Sequence, residues 1–571
     1  EWCNMSNLPV WRAFWLVTGM VCLWQGPAHA HSTDDNSHDA QDTLAIQAAA
    51  DAKTWVSTAA SEVPPDQPAT QGAWGPVIAW PHIPVSAANL PDGRILTFAS
   101  NKPDEFPSGP EYTYAATWNP QTNTLTDAPN TGHDMFCGHL VMLEDGKVFV
   151  NGGRAHVRST SVFDYHQNQW QLIDPMKNGR WYPTTLTLGD GRVMTALGSS
   201  GGRYPELWQP DDGWKMLTGI DLQDPVLSFT DYYENNWFPY FSVTPQGDVL
   251  HYGPTPLMHR LNPDGNAGMG SLRGIGKLNT DWYPKDGASV LFREGRLLLA
   301  GGAIAGNNLD STNKAAVIDM TDDSATVRAT NAMHFPRKFH NAVMLPTGDV
   351  IVLGGNGGKK FDDADSILAA ELWHPDSESW DVLASASVPR NYHSVALLMM
   401  DGRVWSAGGG LCGNCVANHQ DAQVYSPPYL FNADGSAASR PALLSVPASV
   451  VPGKVFTVQA SPNVTRFTAI KMGATTHAVN TDQRFIEFSF VDSGNGSYKL
   501  RANANPNVLT PGYYMLFAID AHGVPSVASS LQVQNVRITL HNPGSLRAQA
   551  GETIDLPLVA EHPLDLPLTF S

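Results

Sequence analysis

The chain has 571 residues and a formal net charge of −19, from 35 Lys+Arg against 54 Asp+Glu. That length allows several domains and a large buried core, while the acidity argues against nucleic acid or an anionic membrane as partner. With 50 glycines, 42 prolines and only 16% charged residues, the composition suits a turn-rich all-β protein.

From the N-terminus, Met5 reads as the start of translation, with residues 1–4 an upstream remnant. Arg12, an apolar stretch from Phe14 to Trp24, and Ala28-His29-Ala30 then form a secretory signal, with cleavage expected after Ala30. The apolar stretch is too short to span a bilayer. Export would place the mature protein outside the cell, in a periplasm or on the cell surface. Residues 31–72 are polar and Ala-rich and read as a linker.

An internal repeat follows. A tight turn and a short apolar strand recur as DGRILTFAS from Asp92, DGKVFVNGG from Asp145, DGRVMTALG from Asp190 and QGDVLHYG from Gln246. EGRLLLAGG from Glu294, TGDVIVLGG from Thr347 and DGRVWSAGGG from Asp401 complete the series. The turn glycines are 45 to 56 residues apart, near the kelch period, in which each unit is one blade of a β-propeller. Gly after Asp supplies the positive φ of a hairpin turn. Seven copies predict seven blades over 73–436. Residues 437–535 read as a separate immunoglobulin-like β-sandwich, with strand runs such as KVFTVQA and YYMLFAID. Residues 536–571 read as the opening of a further, truncated β module.

Of five cysteines, Cys137, Cys412 and Cys415 survive signal removal. In an exported protein Cys412 and Cys415 can pair as a small structural disulfide. A thioredoxin-like pair or half a zinc site finds no βαβ context and no second Cys pair. Cys137 is left over, and a buried structural thiol is its ordinary reading.

Cys137, Tyr182 and His393 each lie eight residues before an Asp-Gly turn. In a closed ring, equivalent positions sit at one height around the axis. A thiol, a phenol and an imidazole, with Tyr392 beside the imidazole, are thereby brought towards one centre, as a redox metal site requires. The bland alternative is that kelch units often carry His or Tyr here, as His340 does. Longer motifs decide between them. GHDMFCGH (132–139), RWYP (180–183), RNYHS (390–394), GGGLCGNC (408–415) and THAVNTDQR (476–484) occur in that order. Together they closely resemble the copper radical oxidases, the family of galactose oxidase and glyoxal oxidase, from about Trp74 to Val533.

The resemblance implies one copper ion held by Tyr182, Tyr392, His393 and His477, an N/O set suited to tetragonal Cu(II). His477 would reach the site on a hairpin of the sandwich. The resemblance also implies a thioether between Cys137 Sγ and the Tyr182 ring, forming a protein-derived radical cofactor, with Tyr392 as the proton acceptor. The implied reaction is oxidation of a small aldehyde or primary alcohol by O2 with release of H2O2. In galactose oxidase a Trp from GSWSGG covers the cross-linked Tyr; here the stretch is GSSGG, with Ser200 at that place. Trp282 is the first candidate replacement and Trp237 the second. This departure draws the chain towards glyoxal oxidases and their bacterial relatives. Phe361 matches a substrate-contacting aromatic and reads as a substrate contact or as a residue packed behind the site, whereas the sugar-binding Arg of galactose oxidase has no clear counterpart, which disfavours galactose. Two competing readings are a non-catalytic adhesion or glycan-binding propeller and a zinc hydrolase using His133 and His139. The first has no need of the full donor set, and the second lacks an open three-ligand site.

Overall fold

A computed structural model describes residues 67–154, 157–199, 202–227, 237–278, 280–282, 284–303, 310–535, 539–541 and 559–561. The signal segment, residues 31–66, Ser200 and most of the final β segment lie outside these. Of that final segment, Thr539–His541 pairs antiparallel with Val559–Glu561.

Seven antiparallel sheets of four or five strands succeed one another from residue 86 to 426. They are the seven blades of a propeller. All seven turn glycines of the repeat (Gly93, Gly146, Gly191, Gly247, Gly295, Gly348 and Gly402) have φ between 63° and 96°, where only glycine is unstrained. The preceding Asp closes four of these turns: the amides of Arg94, Lys147, Arg192 and Arg403 donate to Asp92, Asp145, Asp190 and Asp401. Each turn leads into a strand that is buried along its length, such as Val148–Asn151 or Val350–Leu353, except at the exposed Arg296 that opens Arg296–Ala300. The ring closes where Ala73–Trp74 adds to the last blade, Trp74 opposite Tyr425. The N-terminal strand thereby completes the blade that the C-terminal end of the repeat leaves short.

A buried arginine braces three blades. Arg180, Arg337 and Arg390 bind Glu206, Glu371 and Asp421 at 3.0, 2.6 and 2.6 Å. Each also donates to the carbonyl of Leu197, Gly354 or Gly408. Burial of such a charge is tolerable only with this pairing.

The C-terminal domain is a two-layer sandwich joined by one strand. Phe485–Asp492 pairs through Phe485 to Phe488 with Val464–Lys471, and through Ser489 to Asp492 with Ser497–Arg501. Phe456, Val458, Tyr498 and Leu500 from one layer pack on Phe467, Tyr514, Leu516 and Leu531 from the other. From this sandwich the segment 472–484 runs into the propeller. Its strand Ala474–Thr476 pairs with Ser86–Asn89, the innermost strand of the first blade. No helix among the described residues is long and apolar enough to cross a membrane.

Candidate metal centre

The offset of eight residues before a turn defines one position per blade: Pro84, Cys137, Tyr182, Phe238, Asp286, Phe339 and His393. The last six all have φ between 43° and 75°. Left-handed backbone is uncommon outside glycine and costs about 1–3 kcal/mol per residue. Hydrogen bonds between adjacent blades hold it in place. The Tyr182 amide donates to the Cys137 carbonyl at 3.0 Å, Phe238 to Tyr182 at 2.9 Å, and Phe339 to Asp286 at 2.7 Å. The ring thus carries a stitched rim of strained residues around its axis.

The sandwich segment completes the rim. The Val479 amide donates to the Thr476 carbonyl at 2.8 Å, and the Thr476 amide returns a bond to Val479 at 3.1 Å. His477 and Ala478 are therefore the two central residues of a tight hairpin, with φ of 49° and 65°. Two successive positive φ values are what a type I′ turn needs. The usual Asn-Gly is replaced here by His-Ala, which puts an imidazole at the tip.

Cys137, Tyr182, Tyr392 and His393 are buried and His477 is half-buried. The Tyr182 and Tyr392 hydroxyls are 3.1 Å apart. The two imidazoles meet edge to face with ring centroids 4.7 Å apart. Candidate ligand atoms of Cys137, His393 and His477 all lie within 4.8 Å of one another. His393 Nδ1 donates to the Gly410 carbonyl at 2.6 Å, so Nε2 is its lone-pair nitrogen. Thr476 Oγ1 already donates to the Val85 carbonyl. It must then accept from His477 Nδ1–H at 2.7 Å, which again assigns the lone pair to Nε2. Such outer hydrogen bonds orient imidazole ligands. Cys137 Sγ is 3.5 Å from His477 Nε2.

This donor set fits copper. Two Nε2 nitrogens and two phenol oxygens are an N/O set for Cu(II), not the carboxylate cage of a hard cation nor the thiolate-rich set of structural zinc. His133 and His139 stand elsewhere. The His133 ring lies between Ser161 Oγ and the Gly152 carbonyl, and burial pushes His139 down to about 3. Neither belongs to a metal-capable group among the described residues.

One expectation is corrected. Trp237, not Trp282, covers Tyr182: their rings stack with centroids 5.1 Å apart and planes at 23°. The reason is local, since Trp237 directly precedes Phe238, whose amide is bonded to Tyr182. Trp282 is buried one blade further on, its Nε1 donating to the Gly301 carbonyl at 3.0 Å. Phe361, expected to contact substrate or to support the site, stands in the supporting place. It is fully buried, with its ring 5.4 Å from that of Tyr392 and 5.5 Å from that of His393. It supports those two side chains from behind. Cys412 and Cys415 lie at disulfide distance, with Cys412 two residues beyond Gly410, whose carbonyl faces His393 Nδ1.

An open, shallow cavity lies over the centre, lined by Tyr182, Trp237, Tyr392, His393 and His477 together with Phe339, Lys285, Asp286 and Lys360. Sequence reasoning missed the last four. The eight-residue offset applied to all seven repeats finds Phe339 and Asp286, whereas no periodic signal marks the lysines.

Fold and donor set together define a propeller with imidazole and phenol donors gathered at the inner rim of its blades. Residues 83–420 match the family model described as glyoxal oxidase N-terminus, and 440–533 match galactose oxidase-like, early set domain. The chain is 34% identical to galactose oxidase of Gibberella zeae, over 81% of this chain and 70% of that protein. It is 28% identical to aldehyde oxidase GLOX of Vitis pseudoreticulata, over 70% of this chain and 82% of that one. A solved fungal alcohol oxidase of the AA5 family, in complex with copper, superposes with a TM-score of 0.77. Its identity is 33%, and the match covers 81% of this chain and all of that one. The chain belongs to the copper radical oxidase family, which includes galactose oxidase and glyoxal oxidase.

Proposed function

We propose that this protein is an exported oxidase of small aldehydes or primary alcohols that uses O2 and releases H2O2. The observation that carries the reading is the convergence of Tyr182, Tyr392, His393 and His477 beside Cys137 at the floor of one cavity. The balanced reactions are RCH2OH + O2 → RCHO + H2O2 and, for an aldehyde hydrate, RCH(OH)2 + O2 → RCOOH + H2O2.

His393, His477, Tyr182 and Tyr392 would hold the copper, which when bound supplies a one-electron acceptor and a position for the substrate oxygen. Two electrons leave the substrate, so the chain must accept the other. Tyr182 is the residue for it. A thioether from Cys137 delocalises the unpaired electron of its oxidised ring, and the stacked Trp237 keeps water from that ring. Forming the thioether breaks the Cys137 S–H and one Tyr182 ring C–H, with two electrons and two protons passing to O2. In turnover, Tyr392 takes the hydroxyl proton of the substrate, and the Tyr182 radical takes a hydrogen atom from the adjacent carbon. Phe339 and Phe238 give the cavity an apolar wall, which strengthens electrostatic interactions inside it.

Oxygen uptake and peroxide release by the copper-loaded protein test this reading. Uptake should be matched by equimolar peroxide and be faster on short aldehydes and primary alcohols than on galactose. A protein that consumes oxygen with galactose well ahead of every small substrate contradicts the substrate assignment.

A further inference from the structure

We propose that Asp286 determines specificity in the cavity: its carboxylate accepts a hydrogen bond from the second hydroxyl of an aldehyde hydrate, so that hydrated aldehydes are preferred over simple alcohols. The proposal rests on the oxidase reading above and narrows its substrate class.

Asp286 occupies the rim position of the fifth blade, the one that Tyr182 holds in the third and His393 in the seventh. Its φ is 60°, as at Tyr182, and the Phe339 amide donates to the Asp286 carbonyl at 2.7 Å. The side chain therefore leaves the rim from a fixed point. Successive rim residues line the cavity: Tyr182, Phe238, Asp286, Phe339 and His393. The other side of the ring is taken by the hairpin of His477, whose strand pairs with the innermost strand of the first blade. The open space over the donors is thus bounded by the third to seventh blades. Asp286 stands at the middle of that arc, two blades from Tyr182 and two from His393.

The chemistry of the arc sets Asp286 apart. Tyr182 and His393 are candidate metal donors, and Phe238 and Phe339 offer only apolar surface. Among the described residues, Asp286 is the one carboxylate lining the cavity. It is half-buried, and among the described residues no hydrogen bond or ion pair engages its carboxylate. Lys285 and Lys360 line the same cavity, but each ammonium nitrogen is held over Trp237, 5.7 Å from the ring centroid. Tyr240, kept protonated by burial and then by the Asp286 charge, donates its hydroxyl to the Pro284 carbonyl at 2.6 Å.

An ionised carboxylate only accepts hydrogen bonds, and a partly desolvated acceptor left without a donor weakens binding. A simple primary alcohol brings one hydroxyl, which the metal position takes. An aldehyde hydrate, RCH(OH)2, brings a second on the same carbon, and that hydroxyl is the donor Asp286 lacks. Holding both oxygens also stops rotation of the reacting carbon, so that its C–H keeps one orientation. A site that hydrogen-bonds a substrate hydroxyl discriminates against the analogue without it more strongly than shape alone does.

The test is oxygen uptake by the copper-loaded full chain on glyoxal, which is hydrated in water, and on ethanol, which has the same two-carbon skeleton and one hydroxyl. The quantity read is the ratio of kcat/KM, glyoxal over ethanol. Asp286→Gly removes the carboxylate without strain at positive φ. Asp286→Asn keeps an acceptor oxygen, and Asn tolerates left-handed backbone. The ratio should fall by at least about tenfold in Asp286→Gly and by clearly less in Asp286→Asn. If Asp286→Gly fails to load copper, Asp286→Ala replaces it, at a backbone angle that Ala478 already adopts with φ 65°. A ratio that removal of the carboxylate leaves unmoved, or one that Asn lowers as far as Gly or Ala does, overturns the assignment while the oxidase reading stands. Absence of oxygen uptake by the wild type on both compounds defeats the oxidase reading itself, and the role of Asp286 with it.

Discussion

Cys137 and Tyr182 owe their proximity to one backbone hydrogen bond between neighbouring blades and to two left-handed residues that the repeat imposes. If the thioether forms, peptides carrying the two residues should remain joined after full disulfide reduction. Their joint mass should be two hydrogens below the sum. Cys137→Ser should abolish the joined peptide and greatly lower turnover while copper stays bound, because sulfur is not in the proposed ligand set. Recovery of Cys137 as a freely alkylated thiol in aerobic, copper-loaded protein contradicts the radical mechanism. The ring over Tyr182 gives a second test at this scale. Trp237→Ala removes the stacked cover, so the optical signal of the oxidised, copper-loaded protein should decay at least about tenfold faster, a change of about 1.4 kcal/mol. Trp282→Ala should leave that decay close to wild type, since its indole is committed to Gly301 one blade away. Equal decay rates in the two variants would return Trp282 to consideration.

At the scale of elements, the hairpin that carries His477 is fastened along its length to the propeller. Thr481 Oγ1 donates to the Thr185 carbonyl, the Met142 amide donates to Asp482, and the Met344 amide donates to Gln483. These bonds reach the innermost strands of the third, second and sixth blades. Asp482 is also paired with Lys471 at 2.8 Å, both essentially unexposed. Burial pulls the Lys471 ammonium below its ordinary value, and Asp482 opposes that pull. Removing one partner leaves an uncompensated buried charge, a loss of about 3–5 kcal/mol. Asp482→Asn should therefore lower the unfolding midpoint and weaken copper affinity together. Lys471→Met with Asp482→Leu, which removes both charges, should recover much of the midpoint but not the copper affinity. Equal copper affinity in Asp482→Asn and wild type would show that the hairpin positions His477 without this anchor.

The whole molecule was partly legible from its sequence, and the reasons are physical. The turn at each Asp-Gly or its variant is local chemistry, so the seven repeats announce themselves and the propeller follows. Position eight before each turn is also local, which is why Cys137, Tyr182 and His393 could be aligned without coordinates. The choice between Trp237 and Trp282 was not legible, because both indoles precede an inner strand and only the bond from Phe238 to Tyr182 separates them. Phe361 kept the expected neighbourhood but lies behind Tyr392 and His393, a distinction of facing that spacing alone does not carry. Lys285 and Lys360 come to the cavity from two different blades and leave no periodic trace. The reach of His477 depends on the sandwich lying against one end of the ring, a relation between domains that motif order alone cannot encode. That relation is the central claim: one metal site is shared between two domains and completed by a hairpin tip. Copper analysis with electron paramagnetic resonance on wild type and His477→Ala tests it most directly. The account predicts one copper per chain with a tetragonal Cu(II) signal in the wild type, and loss of that signal in the variant. A variant that keeps one copper and the full wild-type signal would contradict it.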